Sequence, residues 1–197
     1  MTQSIARLGK FTSILSGILL IFAHSFNFGA GEFGTSFGNL LVFFAHLLLV
    51  FAFFSLYFFL GENNGILGFL AMLFGIIGNI IVTSIVYVEI AQAFMEKASP
   101  VFNTPLTEPS FLFGPLLFVL GMILFGITII RSKVLPAYSG CLLLIGTIVF
   151  AAASVAGIFQ AIIEVLGAIF TGAGLILTGI KFDHKSFNEK NGQSPSL

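Results

Sequence analysis

The chain contains no tryptophan, a single cysteine (Cys141), and only 8% charged residues. Each shortage removes a class of protein. A lone thiol cannot build an intrachain disulfide framework or a Cys-rich metal site. A soluble domain carries roughly 25% charged residues, so this surface has too little charge for water. Lys+Arg 8 and Asp+Glu 8 balance to a formal net charge of zero, without the basic surplus that nucleic-acid binding requires. The sequence also lacks a P-loop, an HExxH, a GxSxG and any aspartate cluster that would hold Mg²⁺ for lipid chemistry. No polar stretch is long enough to fold into a nucleotide-binding domain. These absences weigh against an enzyme and leave an intramembrane activity as the only catalysis still open.

What remains is apolar. Hydrophobic residues make up 57% of the 197, and 26 of them are Phe. Mean hydropathy is +1.10. No soluble core of this size hides so much apolar surface, so lipid is the expected solvent. Without Trp, the interfacial aromatic belt reduces to Tyr57, Tyr87 and Tyr138, and Phe becomes the bulky lipid-facing group.

Six hydrophobic stretches follow one another, at about 11–29, 39–60, 65–95, 111–131, 136–157 and 159–180. Each approaches the roughly 20 residues that cross a hydrocarbon core as a helix. The third is longer, and its end from Glu89 to Lys97 is expected to project beyond the bilayer. Arg7 and Lys10 before the first stretch imitate a signal peptide, but the segment contains Ser13, Ser16, His24, Ser25 and Asn27 and is followed by no convincing small-x-small cleavage site. It reads as a membrane helix. The expected fold class is therefore all-α, an integral membrane bundle of six transmembrane helices over residues 1–181. A polar, disordered cytoplasmic tail over 182–197 follows.

Charge sets the orientation. Arg7 and Lys10, Arg131 and Lys133, and Lys181, Lys185 and Lys190 all fall on one side of a six-span topology, with only Lys97 opposite. That asymmetry places both termini in the cytoplasm. Gly61-Glu62-Asn63-Asn64 and Ser132 to Leu135 are then short cytoplasmic turns, with Pro136 opening the fifth helix. Gly29 to Gly38 and the Pro-rich Ala98 to Ser110 lie outside, and the last two helices meet near Gly157 in a tight hairpin or a single bent element. Glu32, Glu89, Glu96 and Glu108 make the exterior acidic, with Glu89, Gln92 and Glu96 read as a solvated rim or, in a functional version, as a weak cation-attracting mouth.

The last stretch carries Gln160, Glu164, Gly167, Thr171, Gly174 and Thr178 at alternating steps of four and three, all on one helical face. Comparable stripes are Ala71–Gly75–Asn79–Thr83–Tyr87, Gly114–Gly121–Thr128, Ser139–Gly146–Ala153–Gly157 and Ser13–Ser16–Leu20–His24–Asn27. Small residues at such spacing let helix backbones approach closely, and Ser or Thr hydroxyls bond to backbone carbonyls. The same Gly-rich faces are also suited to packing between chains in an oligomer. Cys141 reads as a packing residue, and His184 as a solvated tail residue.

The ionisable residues inside these helices are costly, about 2.5–3.5 kcal/mol or more near mid-membrane. At about 1.5 Å per residue, His24 lies roughly 20 Å from the cytoplasmic end and His46 roughly 10 Å below the outer end. In a core of about 30 Å these depths coincide. Glu164 and Asn79 fall near the same level, with Gln160 one turn from Glu164. Three readings compete for this outer-half layer. His24, His46 and Glu164 bond to one another and only fix helix order. Alternatively, the layer lines an outward-facing cavity for a small ligand or a proton, with Glu164 as its carboxylate and a histidine as partner, and Gln160 and Asn79 beside them. In the third reading His24 and His46 are haem or metal ligands, although no HxxxH or CxxCH pattern accompanies them.

The run Ile127-Thr-Ile-Ile-Arg-Ser-Lys-Val-Leu-Pro-Ala-Tyr-Ser-Gly-Cys-Leu-Leu-Leu-Ile-Gly146, with its basic turn and Leu-Pro before a new helix, resembles uncharacterised bacterial multi-span integral membrane protein families. The opening Ala6-Arg-Leu-Gly-Lys-Phe-Thr-Ser-Ile-Leu-Ser-Gly17 is similar to the way such proteins begin. The resemblance implies a bacterial cytoplasmic membrane and carries no activity with it. The expected partners are the lipid bilayer and a small ligand or proton, with no cofactor beyond the haem or metal alternative.

Overall fold

A computed structural model describes residues 3–30, 34–92, 94–95 and 99–182. The elements are α1 (Gln3–Asn27), α2 (Ser36–Leu60), α3 (Gly65–Gln92), α4 (Glu108–Ser132), α5 (Ala137–Ala152) and α6 (Gln160–Ile180), with short 3-10 turns at Gly61–Asn64, Ser99–Asn103, Ala153–Val155 and Gly157–Phe159. Six spans are long and apolar enough to cross a membrane, the fifth counted through Val155 and the sixth from Gly157. Only 28–44% of each span is buried within the protein. The remainder is an apolar outer surface of residues such as Phe11, Phe22, Phe44, Phe51 and Phe58, suited to lipid rather than water. The architecture is that of a multi-pass membrane protein.

Each helix packs on its neighbour in sequence, and α6 returns to pack on α1, so the six form a closed up-and-down ring. Among the described residues no extensive helix contact crosses the ring; its middle is filled by side chains instead. Leu20, Leu49, Phe53, Met122, Phe125, Leu143 and Leu175 meet there, with the Phe53 and Phe125 rings stacked at 4.8 Å.

Small residues set the ring's seams. A Cβ built on Gly121 of α4 would stand 2.4 Å from the Gly75 backbone N of α3, and one on Gly146 of α5 2.3 Å from the Thr171 N of α6. Gly172 of α6 meets the Gly17 carbonyl of α1, and Gly126 and Gly140 back onto each other between α4 and α5. Such contacts are backbone to backbone, as close membrane packing requires. Two seams run along α6. Gly167, Thr171 and Gly174 face α5, while Gly172 and Gly179, which lie off the expected polar stripe, face α1.

Several boundaries differ from those expected. α1 begins at Gln3 rather than near 11, because Ala, Arg, Leu and Lys are good helix formers that hydropathy alone discounts. Arg7 and Lys10 are exposed on its first turns. α3 ends at Gln92 rather than 95. α5 ends at Ala152, and the hairpin it forms with α6 runs through the Ala153–Val155 and Gly157–Phe159 turns. Gly157 takes φ +55 there, a left-handed conformation that a side chain would strain. Phe182, assigned to the tail by composition, is 3% exposed and packs on Phe59 with ring centroids 4.5 Å apart. The rest of the expected tail, including His184, lies outside the described residues.

The ring has unlike ends. One carries short turns: Gly61 and Gly65 at positive φ around the 3-10 turn, with Asn64 Nδ2 donating to the Tyr57 carbonyl, and Lys133 at φ 57 between α4 and α5. There Phe59, Leu60, Leu135 and Phe182 close the interior. Arg7, Lys10, Arg131, Lys133 and Lys181 belong to this end. The other carries the longer connections, and there the ring opens.

Candidate functional site

A cavity of about 490 Å³ enters the ring at the end with the long connections. That volume falls in the range of small-molecule sites. Its polar lining is His24 and Asn27 of α1, Asn39 of α2, Glu89 of α3, and Gln160 and Glu164 of α6. Val42, Phe150, Ile158 and Ala161 supply apolar wall. Among the described lining residues there is no Lys or Arg.

The first turn of α2 is tied to the last of α1 by Asn27. Its Nδ2 donates to Asn39 Oδ1 (2.9 Å), and its Oδ1 accepts from Thr35 N (2.8 Å) and Thr35 Oγ1 (3.0 Å). Thr35 Oγ1 in turn caps α2 by accepting from Gly38 N (2.9 Å). This network fixes the rim. On the far wall Gln160 Nε2 donates to Glu164 Oε1 (2.8 Å), an i to i+4 pair that orients the carboxylate.

His24 sits one turn deeper than Asn27. Its ring meets Phe150 edge to face, centroids 4.8 Å apart, and no described residue hydrogen-bonds to it. His24 and Phe150 also line a second chamber of about 30 Å³, with His46, Thr147, Thr171, Leu20, Phe118, Val119 and Ala168. That is room for a water-sized group.

His46 is held from behind. Its Nδ1 lies 2.8 Å from Asn79 Oδ1, and Asn79 Nδ2 donates to the Gly75 carbonyl at 2.5 Å. Since the Asn79 oxygen can only accept, Nδ1 is the protonated nitrogen, which leaves Nε2 of the neutral ring as an acceptor. Phe118 packs on the same ring edge to face at 4.8 Å. Thr147 Oγ1 donates to the Leu143 carbonyl (2.6 Å), whereas Thr171 Oγ1 is buried with no partner.

Of the residues expected to form one layer, His24, Gln160 and Glu164 line the outer cavity, and His24 and His46 share the inner chamber. Asn79 stands behind His46 and lines neither. The mutual bonding of His24, His46 and Glu164 that one of the three readings requires is not among the hydrogen bonds of the described residues. His46 bonds to Asn79 and Glu164 to Gln160, because the cavity separates α1 from the polar turn of α6. Glu89 departs from its reading as a solvated rim residue, since it lines the cavity. Asn39 and Phe150 were passed over because an amide at a helix start and a Phe among 26 carry little signal on their own.

The haem reading does not fit the shared space. A bis-histidine site needs a porphyrin-wide slot between the two rings, and the chamber common to His24 and His46 is about 30 Å³. Among the described residues no group of three His, Cys, Asp or Glu is placed to hold a metal ion. No protein-family model, curated protein or solved structure matches the chain.

Proposed function

We propose that this is a multi-pass protein of a bacterial cytoplasmic membrane, with both termini cytoplasmic, that binds a small polar ligand from the outer side in a transporter-like manner. The cavity of about 490 Å³ carries this reading, because it brings His24, Glu89, Glu164 and Gln160 to one opening while the opposite end of the ring is packed shut. Polar groups inside a membrane bundle are expensive unless they serve a ligand or one another. Here Asn27 is bonded to Asn39 and Thr35, and Gln160 to Glu164, but His24 is left facing the cavity. The orientation is supported by the basic residues at the closed end.

A structural role for the polar layer is the second reading, and one observation favours it for a part of the layer. The His46–Asn79 pair is buried and mutually satisfied, which is what a helix-fixing contact between α2 and α3 requires.

Native mass spectrometry of protein gently extracted from its own membrane tests the first reading. A bound small molecule, lost or weakened on Ala161→Phe, which puts a ring into the cavity from its α6 wall, is expected. A protein that carries nothing, and that no soluble compound protects against thermal unfolding, would leave the structural reading. A reporter fused after Leu197 should behave as cytoplasmic; a periplasmic signal would overturn the orientation.

A further inference from the structure

We propose that His24 and Phe150 form a side-chain gate between the outer cavity and a deeper pocket that ends on His46. This gate presupposes the ligand-binding reading of the outer cavity and adds a moving part to it. His24 and Phe150 are the two residues that line both spaces. Their rings meet edge to face, centroids 4.8 Å apart. The outer space measures about 490 Å³ and the inner about 30 Å³. A side chain inside a packed core turns only where it finds room. For this pair the room lies on the outer side.

What surrounds the pair is tied down, and the pair is not. His46 is bonded to Asn79, Phe118 packs on the His46 ring, and Thr147 donates to the Leu143 carbonyl. The backbone at Phe150 is also fixed. A Cβ built on Gly167 of α6 would stand 2.6 Å from the Phe150 N, so the two helices are in backbone contact there and α5 cannot move aside. The Phe150 side chain is held on its open side by the ring contact with His24. No described residue hydrogen-bonds to His24 in return. The movement left to this partition is rotation of its two rings, with the helices still.

Opening changes what the outer cavity ends on. With the rings together its floor is His24 and Phe150. With them apart the two spaces join, and His46, with Nδ1 engaged by Asn79 and Nε2 left as an acceptor, becomes the polar floor. Leu20, Phe118, Val119 and Ala168 keep the rest of that wall apolar. Farther along the axis Phe53, Met122 and Phe125 are close-packed. The gate therefore leads to a blind pocket and not into a pore.

The test is thiol accessibility in the full chain in detergent. Cys141, which is exposed, is first replaced by Ser. Single cysteines are then placed in the outer cavity (Ala161→Cys), in the chamber (Thr147→Cys) and in the packed axis (Ser55→Cys). Reaction with 2-aminoethyl methanethiosulfonate is timed by intact mass. Ala161→Cys should react fastest, Thr147→Cys about tenfold or more slowly, and Ser55→Cys about tenfold more slowly again, the order expected of open, gated and packed positions. Adding Phe150→Ala should bring Thr147→Cys close to the rate of Ala161→Cys and leave Ser55→Cys unchanged. Phe150→Leu, which keeps most of the volume but loses the ring contact, should give an intermediate rate. Thr147→Cys reacting as fast as Ala161→Cys with Phe150 in place would mean that nothing is closed. Thr147→Cys no faster than Ser55→Cys would make the pair a fixed wall. No acceleration in Phe150→Ala would put the barrier elsewhere, and equal acceleration of Ser55→Cys in both Phe150 variants would be a loosened ring; either result sinks the gate. An unreactive Ala161→Cys would fail the open outer cavity, and with it the ligand-binding reading itself.

Discussion

The two ends of the ring are made from the same six helices and behave as different materials. At the short-turn end large rings fill the axis, with Phe53 on Phe125 and, farther along, Phe59 on Phe182. At the other end the axis holds amides, carboxylates and a histidine around open space. The difference lies in what each helix places inward. α2 supplies Leu49, Phe53, Leu56 and Phe59 along its lower turns but Asn39, Val42 and His46 along its upper ones. α6 repeats the switch, with Thr178, Leu175 and Thr171 below Glu164 and Gln160. A closed packed end supports an open one, because helices locked at one end can hold a gap at the other.

That contrast can be broken first at the packed end. Phe53→Ala removes a ring that is 1% exposed and stacked, and should cost about 3–5 kcal/mol. Equilibrium unfolding in detergent would measure it, and a loss below about 1 kcal/mol would mean that the axis is not close-packed. Gly121→Val pushes a side chain into the Gly75 backbone, which has no flexible atom to yield, and should cost about 1–3 kcal/mol or prevent assembly. Wild-type yield and stability for this variant would show that α3 and α4 are farther apart than the packing requires.

At the boundary between the two ends, Asn79→Leu strips His46 of its partner and should cost about 1–3 kcal/mol. Adding His46→Phe to that variant should recover much of the loss, as replacing both partners of a buried bond does. Failure to recover would assign His46 a role beyond fixing the helices. In the open half the effects shrink. Gly157→Ala strains a residue at φ +55 and should cost about 1–2 kcal/mol. Glu164→Gln should leave stability within about 0.5 kcal/mol, since the carboxylate supports only an exposed bond to Gln160. A large stability loss there would make Glu164 part of the scaffold.

The helices were legible because lipid imposes a simple rule: a spanning segment must be long, apolar and internally hydrogen-bonded. The stripes of small residues were legible for a related reason, since Gly75, Gly121, Gly146 and Gly167 each belong to a run of small or polar residues at helical spacing within their own helix. Which neighbour each stripe meets was not. Gly172 and Gly179 break the pattern of one face because α6 is wedged between two helices, a fact of assembly rather than of periodicity. Depth arithmetic brought His24 and His46 to one level, and they do share a chamber. It gave no sign that a cavity would keep His24 from Glu164, or that Glu89 would turn inward, because inward and outward are defined only once the ring closes.

The closed ring also has a history written into it. Every seam but one joins helices that are consecutive in the chain, so each can zip up as soon as its second member emerges. Such local pairing favours fast assembly. The exception is the junction of α1 with α6, where Gly17 waits for Gly172 and Gly9 for Phe182. α1 must therefore keep one side unclaimed until α6 is made. During synthesis that side is the vulnerable surface of the nascent chain, exposed to lipid or to another copy of itself. A strand of nascent protein arrested before Gly172 would display it, and the arrival of α6 is the event that ends the exposure.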